Sequence, residues 1–484
     1  MKLSDLLADF PYKLLQGNSD SQITSLTYDS RRVVPQSVFV ALTGHVTDGH
    51  RHVADALNRG AAVVVVERML KGPISSTVVE VENSRMALAK MASNYFGNPA
   101  ARLKLIGVTG TNGKTSVSFL VRHILQHAAY RCGLIGTVEY DLGERVMPAA
   151  RTTPESLEIH KYLNQMAEGG CSHAVMEVSS HALLQYRVHG LEFETVAFTN
   201  LTQDHLDYHG HMEDYYLAKR KLFESHATGG VITNIDDPYG ARIAKDYQGI
   251  TVGHCESAQL RIELVDLNQS GSCFHFGGVK FQIPLIGRHN VVNAAMAIAI
   301  SCQVAGLSLE QCRQSLMDVK PVSGRLEPIE EKQPFGVYID YAHTDDALRH
   351  VLNALREITQ GKLHVVFGCG GNRDKGKRAK MGRVASELAD GVTITTDNPR
   401  KEDPSFISEQ IVEGCSAVRQ DGWCIELDRA RAIDEVLRAA RPGDTVLVAG
   451  KGHETYQEVG DSVIPFNDRE QARATLEAMT MGQL

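Results

Sequence analysis

The chain has 484 residues, too many for one hydrophobic core, so two to four domains are expected. An apolar fraction of 43% and a charged fraction of 22% fit a globular protein in water, and a net charge of −8 argues against a non-specific grip on nucleic acid. The nine cysteines form no C-x-x-C pair, which disfavours a disulfide framework or zinc ribbon, and no apolar run approaches the roughly 20 residues of a membrane span.

The first stretch, MKLSDLLADF, carries acidic residues and no long apolar core. It does not read as a secretory signal, and a cytoplasmic protein with reduced thiols is expected. SVFVAL (Ser37–Leu42) and AAVVVVE (Ala61–Glu67) predict strands, and the turn-rich NYFGNPA (Asn94–Ala100) predicts a domain boundary. From Leu103 apolar strands alternate with helical segments, the pattern of βαβ units and a mainly parallel sheet. LKLIGVTG, HAVMEVSS, VAFTNL and VITNID are the strands, and KTSVSFLVRHILQHAAY has helical periodicity. SGRLEPIEEKQPF (Ser323–Phe335) reads as a second linker. A third α/β alternation follows, with strands in GVYIDYA, LHVVFGCG, GVTITTD and DTVLVAG. The expected organisation is three domains at residues 1–98, 99–330 and 331–484.

Chemistry concentrates at the polar ends of these strands, where open α/β sheets bind ligands. TGTNGKT lies between a strand and a helix but misses the usual P-loop spacing, because the position of the first glycine is Val108. Its context still suits a phosphate cradle. Gly110, Thr111, Asn112 and Gly113 would turn backbone N–H groups inward, Lys114 would reach the β- and γ-phosphates, Thr115 would ligate magnesium, and Ser116 would follow in the first helical turn. Glu177 closes an apolar strand, where a carboxylate needs a partner such as nucleotide-bound magnesium. TNLTQDHLDYHG clusters Asn200, Asp204, His205, Asp207 and His209. With no nearby cysteine or H-E-x-x-H helix, zinc is weakly supported, and His205 as a magnesium ligand is chemically unusual.

Farther on lie Asn293 before an apolar helix, Arg325 in GRLE, and Asp340 and His343 in VYIDYAH. GCGGNRDKGKR fails as a dinucleotide fingerprint, since its third glycine would fall at Arg373; that basic stretch reads as an anion site. In TTDNPRKEDP, Asp397, Asn398 and Arg400 suit a zwitterionic amino acid, the acid taking the ammonium and the guanidinium the carboxylate. On spacing alone, a capped turn before a helix is an equal alternative.

TGTNGKT, MEVSSH, NL-x-x-DH-x-D-x-H, HN-x-x-N, SGR-x-E, DYAHT, GCGGNRD-x-GKR, DNPR and AGKGHE occur in that order, and together they resemble the Mur ligases across essentially the whole chain. The resemblance implies an N-terminal mixed α/β substrate domain, a central P-loop-type parallel-sheet ATPase domain and a C-terminal Rossmann-like α/β domain. It implies a monomeric cytoplasmic ligase of peptidoglycan precursor synthesis that uses ATP and Mg2+ to join meso-diaminopimelate to UDP-MurNAc-L-Ala-D-Glu through an acyl phosphate, with no nucleic-acid or membrane partner.

By the same resemblance, Thr115, Glu177, His205 and a carbamylated Lys219 are metal ligands, with Lys221 close to Lys219 in sequence. Asn293, Arg325, Asp340 and His343 serve ATP. Ser30, His45, Thr152, Thr153, Ser179, Gln185 and Arg187 hold the UDP-MurNAc-dipeptide, and Arg373, Asp397, Asn398, Arg400, Gly450 and Glu454 hold diaminopimelate. DNPR argues against a lysine-adding ligase, and the N-terminal domain with DSR and DGH argues against folylpolyglutamate synthetase. A P-loop switch would have no use for an amino-acid pocket. Arg400, paired by diaminopimelate but left bare by lysine, implies a preference of roughly a hundredfold or more. Asp345 stands where the family more often has proline.

Overall fold

The computed structural model describes residues 1–44, 47–69, 76–268 and 270–481. They form two compact units, one of Met1–Thr109, Ala129–Ala197 and Leu217–Val231, the other of Gly110–Ala128, Phe198–Tyr216 and Ile232–Leu484.

The first unit opens with a five-stranded sheet in the order Lys13–Gln16, Thr77–Glu80, Ala61–Val66, Ser37–Val40, Ser25–Thr27. Only the first pair is antiparallel. AAVVVV is apolar without alternation because both faces of this sheet are covered. Val63 and Val65 pack with the helix Ser84–Tyr95, while Val64 and Val66 face the helix Val53–Asn58. The boundary expected at residues 94–100 is a helix end followed by Asn98 in the left-handed region (φ 50°) and a 3-10 turn, Pro99–Arg102. Beyond it, Lys104–Thr109, His173–Glu177 and Cys132–Ile135 pair in parallel, and Glu139–Asp141 and Val146–Pro148 extend the sheet antiparallel. In this register Glu177 stands opposite Val108, at the carboxyl ends of both strands.

In the second unit the helix Lys114–His127 packs against Arg288–Ala305, each through its buried apolar residues. A six-stranded sheet runs in the order Glu327–Pro328, Gly336–Asp340, Thr445–Ala449, Leu363–Phe367, Gly391–Ile394, Trp423–Ile425. All pairs but the first are parallel. One face is covered by the helices Asp345–Ile358, Lys377–Leu388 and Pro404–Ser416, the other by Arg429–Ala439 and Asp468–Met481. A buried bidentate ion pair, Arg429 to Asp468 at 2.7 Å, joins the last two helices. Ser323–Phe335 is more than a linker: Glu327–Pro328 adds an antiparallel strand, and Leu326 and Ile329 are buried. With Phe335, three buried apolar side chains among its charges dock the segment.

Candidate active site

The phosphate loop belongs to the second unit. Gly110 (φ 145°) and Gly113 (φ 84°) both adopt backbone that a side chain would strain, and Gly113 caps the helix Lys114–His127. Space is equally restrictive, since a Cβ on Gly110 would lie 1.9 Å from Thr199 Oγ1 and one on Gly113 would lie 2.5 Å from Asn293 Oδ1. The segment after Phe198 frames the loop: Thr199 donates to the Asn112 carbonyl (2.6 Å), and Asn200 Oδ1 accepts from Asn112 N (2.9 Å). Asn112 Nδ2 donates to Asp346 Oδ2 at 2.9 Å. The Lys114 ammonium donates to the carbonyls of Gly110 (2.9 Å) and Thr111 (2.8 Å), while Ser116 is half-buried in the first turn.

The ATP-side residues expected from sequence gather on this loop. Arg325 Nη2 donates to Thr115 Oγ1 at 3.1 Å, and its guanidinium lies over the Tyr341 ring at 4.8 Å. Asp340 is buried, and its two oxygens accept from Leu326 N (2.6 Å) and Ala342 N (2.7 Å), pinning the backbone beside Arg325. Burial pushes its pKa up to about 6, against the pull of Arg325 and these two amides. Asn293 bonds Asn290. The His343 ring lies tilted against Tyr341 (centroids 4.7 Å apart) and 3.9 Å from Asp204 Oδ2, and its pKa is lowered, chiefly by burial. His205, in the left-handed region (φ 54°), approaches the same oxygen at 3.3 Å. Burial works against the Asp204 anion, but His205, His343 and Lys377 hold its pKa below the ordinary value.

In the first unit Glu177 is fully buried and held at both oxygens. Thr137 donates to Oε1 through its amide (2.8 Å) and to Oε2 through its hydroxyl (2.9 Å). The Thr152 and Thr137 hydroxyls lie 3.1 Å apart. Thr153 donates to the Glu177 carbonyl (2.7 Å) and accepts from Ser179 N (3.1 Å), and Ser179 caps the following short helix. Arg187 donates to the Thr153 carbonyl and to Gln185, and pairs with the buried Glu155 at 3.1 Å. Five of the residues expected to hold the sugar-peptide, Thr152, Thr153, Ser179, Gln185 and Arg187, are thus one network around Glu177. Ser30 is buried in the 3-10 turn Ser30–Arg32, and neighbouring Tyr28 donates to Glu158 at 3.0 Å, joining that turn to the helix after RTTPE. His45 lies outside the described residues. Lys219 is 1% exposed on the helix Met212–Ser225, whereas Lys221 is half-buried beside Tyr186.

The residues assigned to the amino acid again lie in the second unit. Asp397 and Asn398 are buried, and the Lys451 ammonium bridges Asn398 Oδ1 (3.0 Å) and Glu454 (2.9 Å). Gly450 (φ 108°) lets the chain pass Asp397, where a Cβ would sit 2.8 Å from Oδ2. Arg400 (φ 52°) donates to the Gly371 carbonyl at 2.9 Å, and Arg373 is exposed nearby in sequence. The expectation of a bare Arg400 is corrected here: Glu458 Oε2 already lies 2.5 Å from its Nε. DNPR does not N-cap the following helix; Asp403 does, through Ser405 N.

Thr137, Glu155, Lys451 and Glu458 escaped the sequence reading. Glu155 is the last residue of RTTPE (Arg151–Glu155) and Lys451 lies within AGKGHE, so membership of a motif is a usable signal for both. Thr137 and Glu458 have no such signal. Among the described residues no three His, Cys, Asp or Glu side chains gather as a ready metal cage. Magnesium does not require one, since it takes one or two carboxylates plus phosphate and water oxygens. Within the second unit, the Thr115 hydroxyl and the glycine cradle suit the phosphates of a magnesium nucleotide; within the first, the buried Glu177 carboxylate is an oxygen donor of the kind magnesium takes.

Three family descriptions match the chain: Mur ligase family, catalytic domain, over residues 22–104; Mur ligase middle domain over 108–301; and Mur ligase, glutamate ligase domain over 324–452. The chain belongs to the Mur ligase family. It is 42% identical over 490 residues to the UDP-N-acetylmuramoyl-L-alanyl-D-glutamate–2,6-diaminopimelate ligase of Clostridium tetani, covering 99% of this chain and 100% of that one. The enzyme of the same name from Geobacillus kaustophilus is 41% identical over 495 residues, with 99% of each chain covered. A solved structure of a ligase of that name has a TM-score of 0.68 at 30% identity, covering 99% of both chains. The MurF ligase of Thermotoga maritima in complex with ADP shares the fold at 18% identity, with a TM-score of 0.64 over 95% of this chain and 98% of that one.

Proposed function

We propose that this chain is the ATP-dependent ligase that joins meso-diaminopimelate to UDP-MurNAc-L-Ala-D-Glu in peptidoglycan precursor synthesis, acting as a monomer in the cytoplasm. Residues 1–98 hold the UDP-MurNAc end, 99–330 hold ATP and 331–484 hold the amino acid. ATP phosphorylates the γ-carboxylate of the D-glutamate. The amine of diaminopimelate then attacks the acyl carbon, phosphate leaves, and an amide remains. Such chemistry needs positioning and charge neutralisation rather than a protein nucleophile.

Lys114 releases the loop carbonyls for the β- and γ-phosphates, with Gly110–Ser116 supplying amides. Asn293, Arg325, Asp340 and His343 order the nucleotide side. Thr115, Glu177, His205 and carbamylated Lys219 would hold magnesium, which when bound neutralises phosphate charge. The near-complete burial of Lys219, against half-buried Lys221, supports Lys219 as the modified residue. Ser30, His45, Thr152, Thr153, Ser179, Gln185 and Arg187 bind the sugar-dipeptide. Arg373, Asp397, Asn398, Arg400, Gly450 and Glu454 bind diaminopimelate.

The single observation that supports the reading is the DNPR loop, where Asn398 bonds both Glu454 and Lys451 and Arg400 pairs with Glu458. The test is phosphate release with UDP-MurNAc-L-Ala-D-Glu, ATP and magnesium, adding meso-diaminopimelate or L-lysine. Turnover with diaminopimelate is expected. Turnover with lysine alone, or with neither, overturns the assignment.

A further inference from the structure

Glu458 belongs to the hairpin Tyr456–Val459 and Ser462–Pro465, which is docked on the DNPR loop by its backbone. Arg400 N donates to the Glu458 carbonyl (2.9 Å), Gly460 N donates to the Arg400 carbonyl (2.7 Å), and Glu458 N donates to Asn398 Oδ1 (3.0 Å). Gln457 adds a bond to the Asp397 carbonyl at 2.9 Å. Arg400 is held in left-handed backbone (φ 52°), a conformation a non-glycine residue keeps only where its surroundings impose it. Both ends of the Arg400–Glu458 pair are therefore placed by main chain, and the carboxylate lies 2.5 Å from Nε. The side chains are 23% and 33% exposed, so the pair is partly shielded from water yet reachable from it.

We infer that Glu458 is a specificity-determining residue: its carboxylate, set against Arg400 Nε, is the counter-ion that the distal carboxylate of the incoming diamino acid must displace, and so sets how strongly that carboxylate is preferred. The inference rests on the functional reading above. In the empty pocket Glu458 is the counter-ion of Arg400. A diamino acid with a distal carboxylate must displace it, so one carboxylate replaces another and only the difference appears as affinity. An amino acid without that carboxylate leaves the Arg400–Glu458 pair intact, and no bare buried cation penalises it. The selectivity supplied by Arg400 is thereby smaller than for an arginine with no internal partner.

The test is steady-state kinetics of Glu458→Gln with meso-diaminopimelate and L-lysine. The amide is isosteric and leaves the backbone docking of the hairpin in place, but it is a weaker partner for a guanidinium. KM for diaminopimelate is expected to fall about threefold or more, and the ratio of kcat/KM for diaminopimelate over lysine to rise about tenfold, with kcat moving less than KM. Glu458→Asp, which keeps the charge, is expected to return both values toward wild type. Glu458→Ala read in the same way keeps the test independent of the folding of one variant. A rise in KM for diaminopimelate overturns the inference and makes Glu458 a ligand of the substrate ammonium. An unchanged ratio also overturns it, leaving an ion pair without a role. Wild-type protein that turns over neither amino acid fails the functional reading instead, so the two failures are distinguishable.

Discussion

Arg325 reaches Thr115 across 210 positions of sequence, its Nη2 donating to the threonine hydroxyl at 3.1 Å. The bond ties the segment after residue 322 to the first turn of the phosphate-loop helix, and Tyr341 supports the guanidinium from below. Arg325→Ala removes a charge-assisted bond and a cation–π contact together. The KM for ATP is expected to rise roughly 10- to 100-fold, with Arg325→Lys intermediate because a lysine keeps the charge but not the planar stack. Nucleotide binding by titration checks this, and equal affinities for wild type and Arg325→Ala would refute it.

Thr137 holds both oxygens of the buried Glu177, one through its amide and one through its hydroxyl. Thr137→Val keeps the shape and the amide bond but strips the hydroxyl bond. We expect kcat/KM to fall roughly 10- to 100-fold, the worth of one hydrogen bond to a charged group, while thermal melting moves by only a few degrees. Activity retained at the wild-type level would make Thr137 a packing residue.

Asp340 gives a pH dependence with a definite sign. Its folded pKa, about 6, lies above the ordinary carboxyl value near 3.9. The fold therefore favours the protonated form. The stability this group contributes is complete below about pH 4 and is lost as pH rises through about 6. The stability gap between wild type and Asp340→Asn should shift against wild type by at most about 3 kcal/mol from pH 4 to pH 7. Denaturant melts of both proteins across that range measure it, and a pH-independent gap would sink the claim.

Lys219 and Lys221 are separable by chemistry. With 13C-labelled bicarbonate, a carbamate carbon resonance is expected in the wild type and in Lys221→Gln, and none in Lys219→Gln. A signal that survives Lys219→Gln places the modification elsewhere.

Asp345, where the family resemblance leads one to expect proline, is the first residue of the helix Asp345–Ile358, after the N-cap Thr344. That position suits both residue types, since proline has no amide to waste there and an aspartate complements the helix dipole. Asp345→Pro is expected to change stability by less than about 1 kcal/mol and leave diaminopimelate turnover intact. A collapse in folding yield would contradict the helix-start explanation.

Much of this was legible before any coordinates, for identifiable reasons. The AAVVVV and LHVVF runs declared strands buried on both faces, because a parallel sheet under helices needs no alternation. TGTNGKT announced a cradle through residues whose backbone demands are local, and Gly110 and Gly113 meet those demands. What stayed hidden depends on distant partners. Nothing in the sequence around Thr137 says that Glu177 lies against it, and the charges of Ser323–Phe335 conceal the three apolar side chains that dock it. The role of Asp340 is only half visible: a strand-end acid is evident, but not that its two oxygens accept from the backbone amides of Leu326 and Ala342. Arg400 stands in a motif, whereas its counter-ion lies 58 residues on, in a hairpin with no motif of its own, so the pairing is invisible in the sequence.

The hairpin that docks on Arg400 does so by main-chain bonds, a small act of strand addition at the rim of the amino-acid cluster. Backbone bonds are indifferent to side-chain identity. The hairpin therefore keeps its register on the DNPR loop whatever side chain stands at position 458, so the charge that faces Arg400 can change without any change in the wall that presents it.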